Sequence, residues 1–225
     1  MDQEKSNAIS GYVSKLLRQN FGRGPQICQT FAGGKHMLVH IRGFISPMEE
    51  VLMREGSDFQ VEKARTAIID RILGELEGII RVSLEREVKE YYQDWNFPNN
   101  SGVLMFELDE SIGESPHAAF DTRLLEQEIV RISRLVQRAP DEIHTYVVSP
   151  RHYLVERNGI LIAIEKALIK KGFAFELKST KDELEKTYLH RQGRFDQICG
   201  AGVSDIFVDW SFKNDKSLMA FILGN

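Results

Sequence analysis

Apolar positions along the chain follow a helical period, then a strand period, then both again, and the whole series occurs twice. Ile9, Tyr12, Val13, Leu16 and Leu17 fall at i, i+3, i+4, i+7 and i+8, one apolar stripe behind the polar cap candidates Ser6 and Asn7. After Pro25, residues 26–31 and 36–41 are short apolar runs separated by Gly33-Gly34, which predicts an antiparallel hairpin. Ser46-Pro47-Met48-Glu49 has the form of a helix start, with Ser46 at the cap, Pro47 at the first helical position and Glu49 closing a capping box; this short helix should end near Gly56. From Val61, the positions Ile68, Ile69, Ile72, Leu76, Ile79 and Ile80 keep helical spacing over about five turns. Strands return at 88–95 and 103–108, joined by a turn rich in Asn, Pro and Gly.

The second half repeats this order. Leu125, Ile129, Ile132 and Val136 form the first helical stripe, 142–148 and 152–157 flank a Ser149-Pro150 turn, and 203–210 and 218–223 are the last two strands. Asp94-Trp95-Asn96-Phe97-Pro98-Asn99 is matched by Asp209-Trp210-Ser211-Phe212-Lys213-Asn214, 115 residues on, and these tryptophans are the only two present. The same gap-free offset pairs Arg23 with Arg138, Pro25 with Pro140, Thr30 with Thr145, Arg42 with Arg157, Ile45 with Ile160, Glu50 with Glu165, Lys63 with Lys178, Gly78 with Gly193 and Phe106 with Phe221. A period this long exceeds that of solenoid repeats, so each copy should be a small domain with its own core.

Each copy thus reads α-β-β-α-α-β-β, an α+β class with an antiparallel sheet and helices on one face. The domains are placed at 1–110 and 120–225, with 111–119 as linker because Ser111-Ile112-Gly113-Glu114-Ser115-Pro116 breaks the periodic pattern. Leu16, Ile27, Leu38, Ile45, Ile69, Leu76, Trp95 and Phe106 are the expected core of the first copy. Ile132, Ile143, Leu154, Ile160, Leu184, Trp210 and Phe221 are that of the second.

Composition narrows the class. The 225 residues are 42% hydrophobic and 28% charged, a globular balance, and 29 Lys plus Arg against 33 Asp plus Glu gives a net charge of −4. That acidity, without a basic-aromatic motif, argues against nucleic acid as partner. Cys28 and Cys199 form no metal-spaced pair, which fits a reducing compartment. No apolar run approaches the roughly 20 residues of a transmembrane helix, and the first residues are polar, so a soluble cytoplasmic protein is expected.

Candidate chemistry is sparse. His36 and His40 have metal-ligand spacing for a helix, but on a strand positions four apart are separated by about 13 Å; by the 115-residue offset the second copy has Arg151 and Val155 there. Two surface or edge histidines are the preferred reading. Asp94 and Asp209, each before a tryptophan, suit acceptors for the N–H groups of the following turn, together with Asn99 and Asn214. Arg65, Arg71 and Arg81 interleave with Glu62, Glu75, Glu77 and Glu85 as on a solvated helix face, and residues 151–157 with Lys166, Lys170 and Lys171 make the middle of the second copy basic, suited to a membrane-surface or partner contact. No nucleophile-elbow, zinc-protease, Walker or dinucleotide motif occurs, and no cofactor is called for.

Phe21-Gly22-Arg23-Gly24-Pro25 admits two readings. The preferred one is a helix C-cap, with Gly22 ending the helix and Pro25 preventing its continuation. The other is an anion site in which Arg23 offers its planar fork and Gly24 exposed backbone N–H groups, with Arg138 as the matching residue of the second copy, where both glycines are lost.

Gly22-Arg23-Gly24-Pro25, the hairpin, Gly43-Phe44-Ile45-Ser46-Pro47-Met48-Glu49, then Val61, Arg65 and Asp94 make residues 9–108 resemble the bacterial MpsC-like family. The second half resembles it through its similarity to the first, with Ile162 where the offset places Pro47. The resemblance implies a protein serving a sodium-linked, membrane-potential-generating system whose partners are implicated in inorganic-carbon uptake, and it carries over no catalytic residue. The expected function is therefore a non-catalytic cytoplasmic interaction or regulatory protein, in contact with subunits of a membrane transport complex or with itself, and peripheral to the inner face of the membrane. The alternative is a small-anion binder or enzyme acting on carboxylate, phosphate or bicarbonate through Arg23.

Overall fold

The structure is a computed structural model and describes residues 1–224. It divides into two compact units, Met1–Glu114 and Ser115–Asn225. In the first, α1 (Gln3–Phe21) leads into the hairpin β1 (Ile27–Gly33) and β2 (His36–Arg42), then α2 (Pro47–Arg54), α3 (Asp58–Leu84) and a second hairpin, β3 (Val88–Asn96) and β4 (Ser101–Leu108). The sheet order is β1-β2-β4-β3, antiparallel throughout. α1 and α3 pack on one face, where Val13, Leu16, Ile69, Leu76, Val39, Ile41, Leu104, Phe106 and Trp95 form one apolar cluster. The fold is α+β, as the two periodicities indicate.

The second unit follows the same plan with α4 (Thr122–Val136), β5 (Glu142–Ser149), β6 (His152–Asn158), α5 (Ala163–Lys170), α6 (Ala174–Gln192), β7 (Val203–Ser211) and β8 (Lys216–Leu223), in sheet order β5-β6-β8-β7. It departs from the expected pattern in one element. The counterpart of the long α3 is broken at Gly193-Arg194, so that α7 (Phe195–Cys199) is a separate turn of helix.

That break and a bulge between Val147 and Ser149 correct the uniform 115-residue offset. The buried stripes of α1 and α4 match at 116, Ile9 with Leu125, Leu16 with Ile132 and Leu17 with Ser133, whereas equivalent residues lie 115 apart at the start of β1 and β5 and again in the last hairpin. From the end of β1 to the middle of α3 they lie 116 apart, because the bulge adds a residue that the broken helix then loses. Glu49, not Glu50, is therefore the equivalent of Glu165. Ser46 and Pro47 correspond to Ile162 and Ala163, Phe44 to Ile160, Arg65 to Lys181 and His36 to His152.

Trp95 and Trp210 occupy equivalent buried positions one residue before the ends of β3 and β7. Two core expectations need revision. Ile27 opens an edge strand and is 45% exposed; Leu184 lies on the outer side of α6 at 44%. Leu38 and Leu154 are fully buried, but strand alternation points them away from the face that carries the helices.

Candidate functional site

The ionisable residues that the fold gathers lie beneath α2 and α5. In the first unit Arg65 enters from α3 with 1% of its surface exposed, so it is interior and not part of a solvated face. Its guanidinium is 4.2 Å from the ring centre of Phe21, 4.2 Å from that of Phe44 and 4.6 Å from that of Trp95, and its Nη2 donates to Glu49 Oε1 at 2.5 Å. Burial pushes the Arg65 guanidinium below its ordinary pKa, and the Glu49 charge and hydrogen bond oppose that shift. A planar cation with delocalised charge suits this space, because its faces rest on rings while its edge takes the carboxylate.

Glu49 has two tasks. Its Oε2 accepts from the Ser46 N–H at 2.8 Å, completing the capping box of α2, while Oε1 holds Arg65. The helix start is thereby tied to the core through one carboxylate. Asn100 ties the chain just before it: its Oδ1 accepts from Phe44 N at 2.8 Å and Ile45 N at 3.0 Å, and its carbonyl accepts from Gly43 N at 2.8 Å. Asn100 adopts φ 47°, a left-handed conformation that asparagine tolerates better than most residues.

The second unit makes the same connection with different groups. Glu165 Oε2 accepts from Ile162 N at 3.0 Å, which is half of a capping box because Ile162 has no side-chain acceptor, and Oε1 takes the Lys181 ammonium at 2.9 Å. Gln137 replaces Phe21 in the cage; it accepts from Lys181 at 2.5 Å and donates to Glu165. A lysine is a compact charge that needs acceptors more than faces, and Gln137 with Glu165 and Glu185 supplies them. Trp210 keeps its place, 5.7 Å from the ammonium. Asp215, at φ 51°, repeats Asn100, accepting from Ile160 N at 2.9 Å and Leu161 N at 2.7 Å. Burial opposes its ionisation, but the Lys166 ammonium and those N–H groups outweigh it and hold the carboxyl below its usual range.

Polar groups extend further in this unit. Arg157 donates to Ser217 Oγ at 2.8 Å, Ser133 Oγ at 3.3 Å and Glu185 Oε2 at 2.7 Å, at positions equivalent to Gly102, Leu17 and Ile69 of the first unit. Glu128, on α4, receives Arg131 and both the backbone and side chain of Arg194, the residue at the helix break. Hydrogen bonds from Arg131 lead those that bring its carboxyl down to about 2, against burial.

The remaining sequence candidates are dispersed. Gly22 caps α1 at φ 74°, as the preferred reading of that turn requires. Arg23 stays exposed and donates to the Ile45 carbonyl at 3.4 Å; Gly24 lies beneath the Arg18 side chain, whose Nε would be 3.1 Å from a Cβ there. Arg138 pairs with Asp141. Asp94 and Asp209 each accept from the next backbone N–H, that of Trp95 at 2.7 Å and Trp210 at 2.5 Å, and Asp209 also takes the Lys178 ammonium at 2.5 Å. Asn96 accepts from Asn99 N in the turn after β3, and the residues that matter are the next ones along, Asn100 and Asp215. His36 and His40 are neither surface nor edge residues: both are buried on β2, an inner strand of the sheet, and among the described residues no group of three or more His, Cys, Asp and Glu is placed to hold a metal ion. Burial pushes both thiols up to about 11, which disfavours the thiolate form of Cys28 and Cys199. No helix is long and apolar enough to cross a membrane among the described residues.

What the buried cations hold in place is open on its outer side. α2 exposes Met48, Val51 and Leu52 in one i, i+3, i+4 stripe, continued by Phe59 at the start of α3, with Met48 at 74%. α5 exposes Ile164 at 61%, and Phe173 follows its last turn at 50%.

A family model described as Na+-translocating membrane potential-generating system (MpsC) matches residues 2–110 and again 122–225. No curated protein and no solved structure matches the chain.

Proposed function

The chain belongs to the MpsC family, whose domain it carries twice, and from that premise we propose that it is a non-catalytic accessory protein acting by contact, on the cytoplasmic side, with a bacterial membrane ion or inorganic-carbon transport system. One observation supports the reading above others: ionisable side chains at equivalent places in the two units fix a short helix against the long helix that follows it, while the outer face of that short helix is apolar and open. Rigid presentation of an exposed apolar stripe is what a docking element needs, because little ordering entropy is then lost on contact. The test is affinity capture from membranes of the native host with the full chain and with a Val51→Glu, Ile164→Glu variant. Retention of an integral-membrane transport subunit by the wild type, lost in the variant, is expected; equal retention by both, or none by either, would overturn the reading.

A second reading draws on Arg23, whose exposed guanidinium lies in the same loop as Gly24 and the Arg18 side chain over it. Two cations beside one turn suit a small anion such as bicarbonate, phosphate or a carboxylate. Thermal stabilisation by one of these, abolished by Arg23→Ala and kept in Arg138→Ala, supports it; no shift, or a shift unaffected by Arg23→Ala, removes it.

A further inference from the structure

The open stripes of α2 and α5 are equivalent in position and opposite in charge. Met48 corresponds to Ile164 and Leu52 to Leu168, so apolar character recurs at the same places. The polar residues alongside do not recur. Glu50 stands where the second unit has Lys166, and Glu55 where it has Lys171; Arg54 and Lys170 are both basic. Asp58, one turn beyond α2, adds a further negative charge, and its equivalent is the uncharged Ala174. Glu50 and Arg54 pair with each other at 2.6 Å, and Lys166 reaches Asp215 at 2.8 Å, which leaves Glu55 and Asp58 on one stripe against Lys170 and Lys171 on the other. The asymmetry extends to the whole units: residues 1–114 have 18 Asp plus Glu and 13 Lys plus Arg, residues 115–225 have 15 and 16.

We propose that these two faces bind each other between molecules, the α2 stripe of one chain seated on the α5 stripe of a second copy. Apolar contact supplies the attraction and the charges select the pairing. An α2–α2 contact would bring Glu55 and Asp58 against their own kind, and an α5–α5 contact would do so with Lys170 and Lys171, so both like pairings are disfavoured. An anionic lipid surface suits α5 alone and repels α2; a second copy of the chain accounts for both faces. The contact is heterologous in its surfaces, so it closes as a dimer when two such contacts form at once and otherwise continues to a third chain. A single pair of two-turn helices covers less than a standard interface, and the association is accordingly weak, reversible and sensitive to salt. The proposal rests on the reading of these helices as contact elements and names what one such contact takes.

The test is sedimentation of the full chain over a concentration series into the sub-millimolar range, with two charge-reversed variants. Glu50→Lys with Glu55→Lys makes both stripes basic, and Lys170→Glu with Lys171→Glu makes both acidic; all four positions are exposed and none touches the buried cations. The expected result is a wild-type mass rising above the 25.8 kDa of one chain, less so at high salt. Each variant alone stays monomeric, and an equimolar mixture associates again, because each reversed stripe meets its complement. A wild type that stays monomeric throughout, variants that associate as the wild type does, or a mixture that stays monomeric would overturn the proposal. So would flotation of a monomeric wild type on phosphatidylglycerol vesicles that is lost on Lys170→Glu with Lys171→Glu. A monomeric chain that still captures a membrane subunit sinks only the self-contact; an associating chain that captures none sinks only the transport role.

Discussion

Lysine at position 65 would keep the charge and the reach toward Glu49 but lose the planar group that rests on three rings. Those rings lie 4.2, 4.2 and 4.6 Å from the guanidinium, and a desolvated cation–π contact is worth about 1 to 2 kcal/mol, of which an ammonium with a single acceptor keeps only part. We expect Arg65→Lys to destabilise the first unit by about 2 kcal/mol on that basis. The second unit shows what a lysine requires: Gln137, standing where the first unit has Phe21, accepts from Lys181 at 2.5 Å. Adding Phe21→Gln to Arg65→Lys should therefore cost less than the two changes summed, by at least about 1 kcal/mol, the worth of a charge-assisted hydrogen bond. Urea unfolding of the full chain in a Trp210→Phe background, excited where only tryptophan absorbs, leaves Trp95 as the sole reporter, and it lies in the first unit. With a slope of about 2 kcal/mol/M, the single change should lower the midpoint by about 1 M and the double change should recover part of that. A midpoint unmoved by Arg65→Lys, or strict additivity of the two substitutions, would refute the cage as the reason arginine stands here.

Asn100→Ala removes the acceptor of two backbone N–H groups and leaves alanine at positive φ; a loss of about 2 to 3 kcal/mol in thermal unfolding is expected, with Asn100→Asp, the residue used at 215, costing under about 1 kcal/mol. Gly102→Ala places a Cβ against the Trp95 ring, so the ring must move; its fluorescence should shift to the red with a loss of about 2 kcal/mol. Glu128 has its pKa depressed to about 2, so the stability it contributes is complete above its ordinary value near 4.5 and is lost as pH falls toward 2. Its arginine partners are partly exposed, so that contribution is about 2 kcal/mol, and Glu128→Gln should flatten the acid limb of the pH-stability curve of the second unit.

Most elements, the cap of α2 and the hairpin pairings were legible because each depends on local chemistry, whereas α1 starts earlier than its stripe indicates, capped by Asp2 with Ser6 and Asn7 inside the helix. Ser46, Pro47 and Glu49 announce a helix start in any context, and the alternating apolar runs could pair only as hairpins. The buried cations were not legible. Arg65 sits among glutamates and arginines at helical spacing, the pattern of a solvated face, and nothing local shows that its own position turns inward beneath Phe44 and Trp95. The gap-free offset concealed the relation further by pairing Glu165 with the exposed Glu50 when its partner in role is Glu49. A bulge in β5 and a missing residue at Gly193-Arg194 cancel over the length of a unit, so the tryptophans align while the residues from the end of β1 to the middle of α3 are displaced by one. A search that allowed one insertion would have brought Ser46, Glu49 and Arg65 onto Ile162, Glu165 and Lys181 together.

Amide hydrogen exchange of the full chain tests most directly whether the buried cations hold the open helices in place. In Arg65→Met the amides of residues 51–56 should lose protection while α5 is unchanged, and in Lys181→Met those of residues 167–172 should lose it while α2 is unchanged. Exchange in α2 and α5 that ignores both substitutions, or that rises equally across both units, would contradict the account.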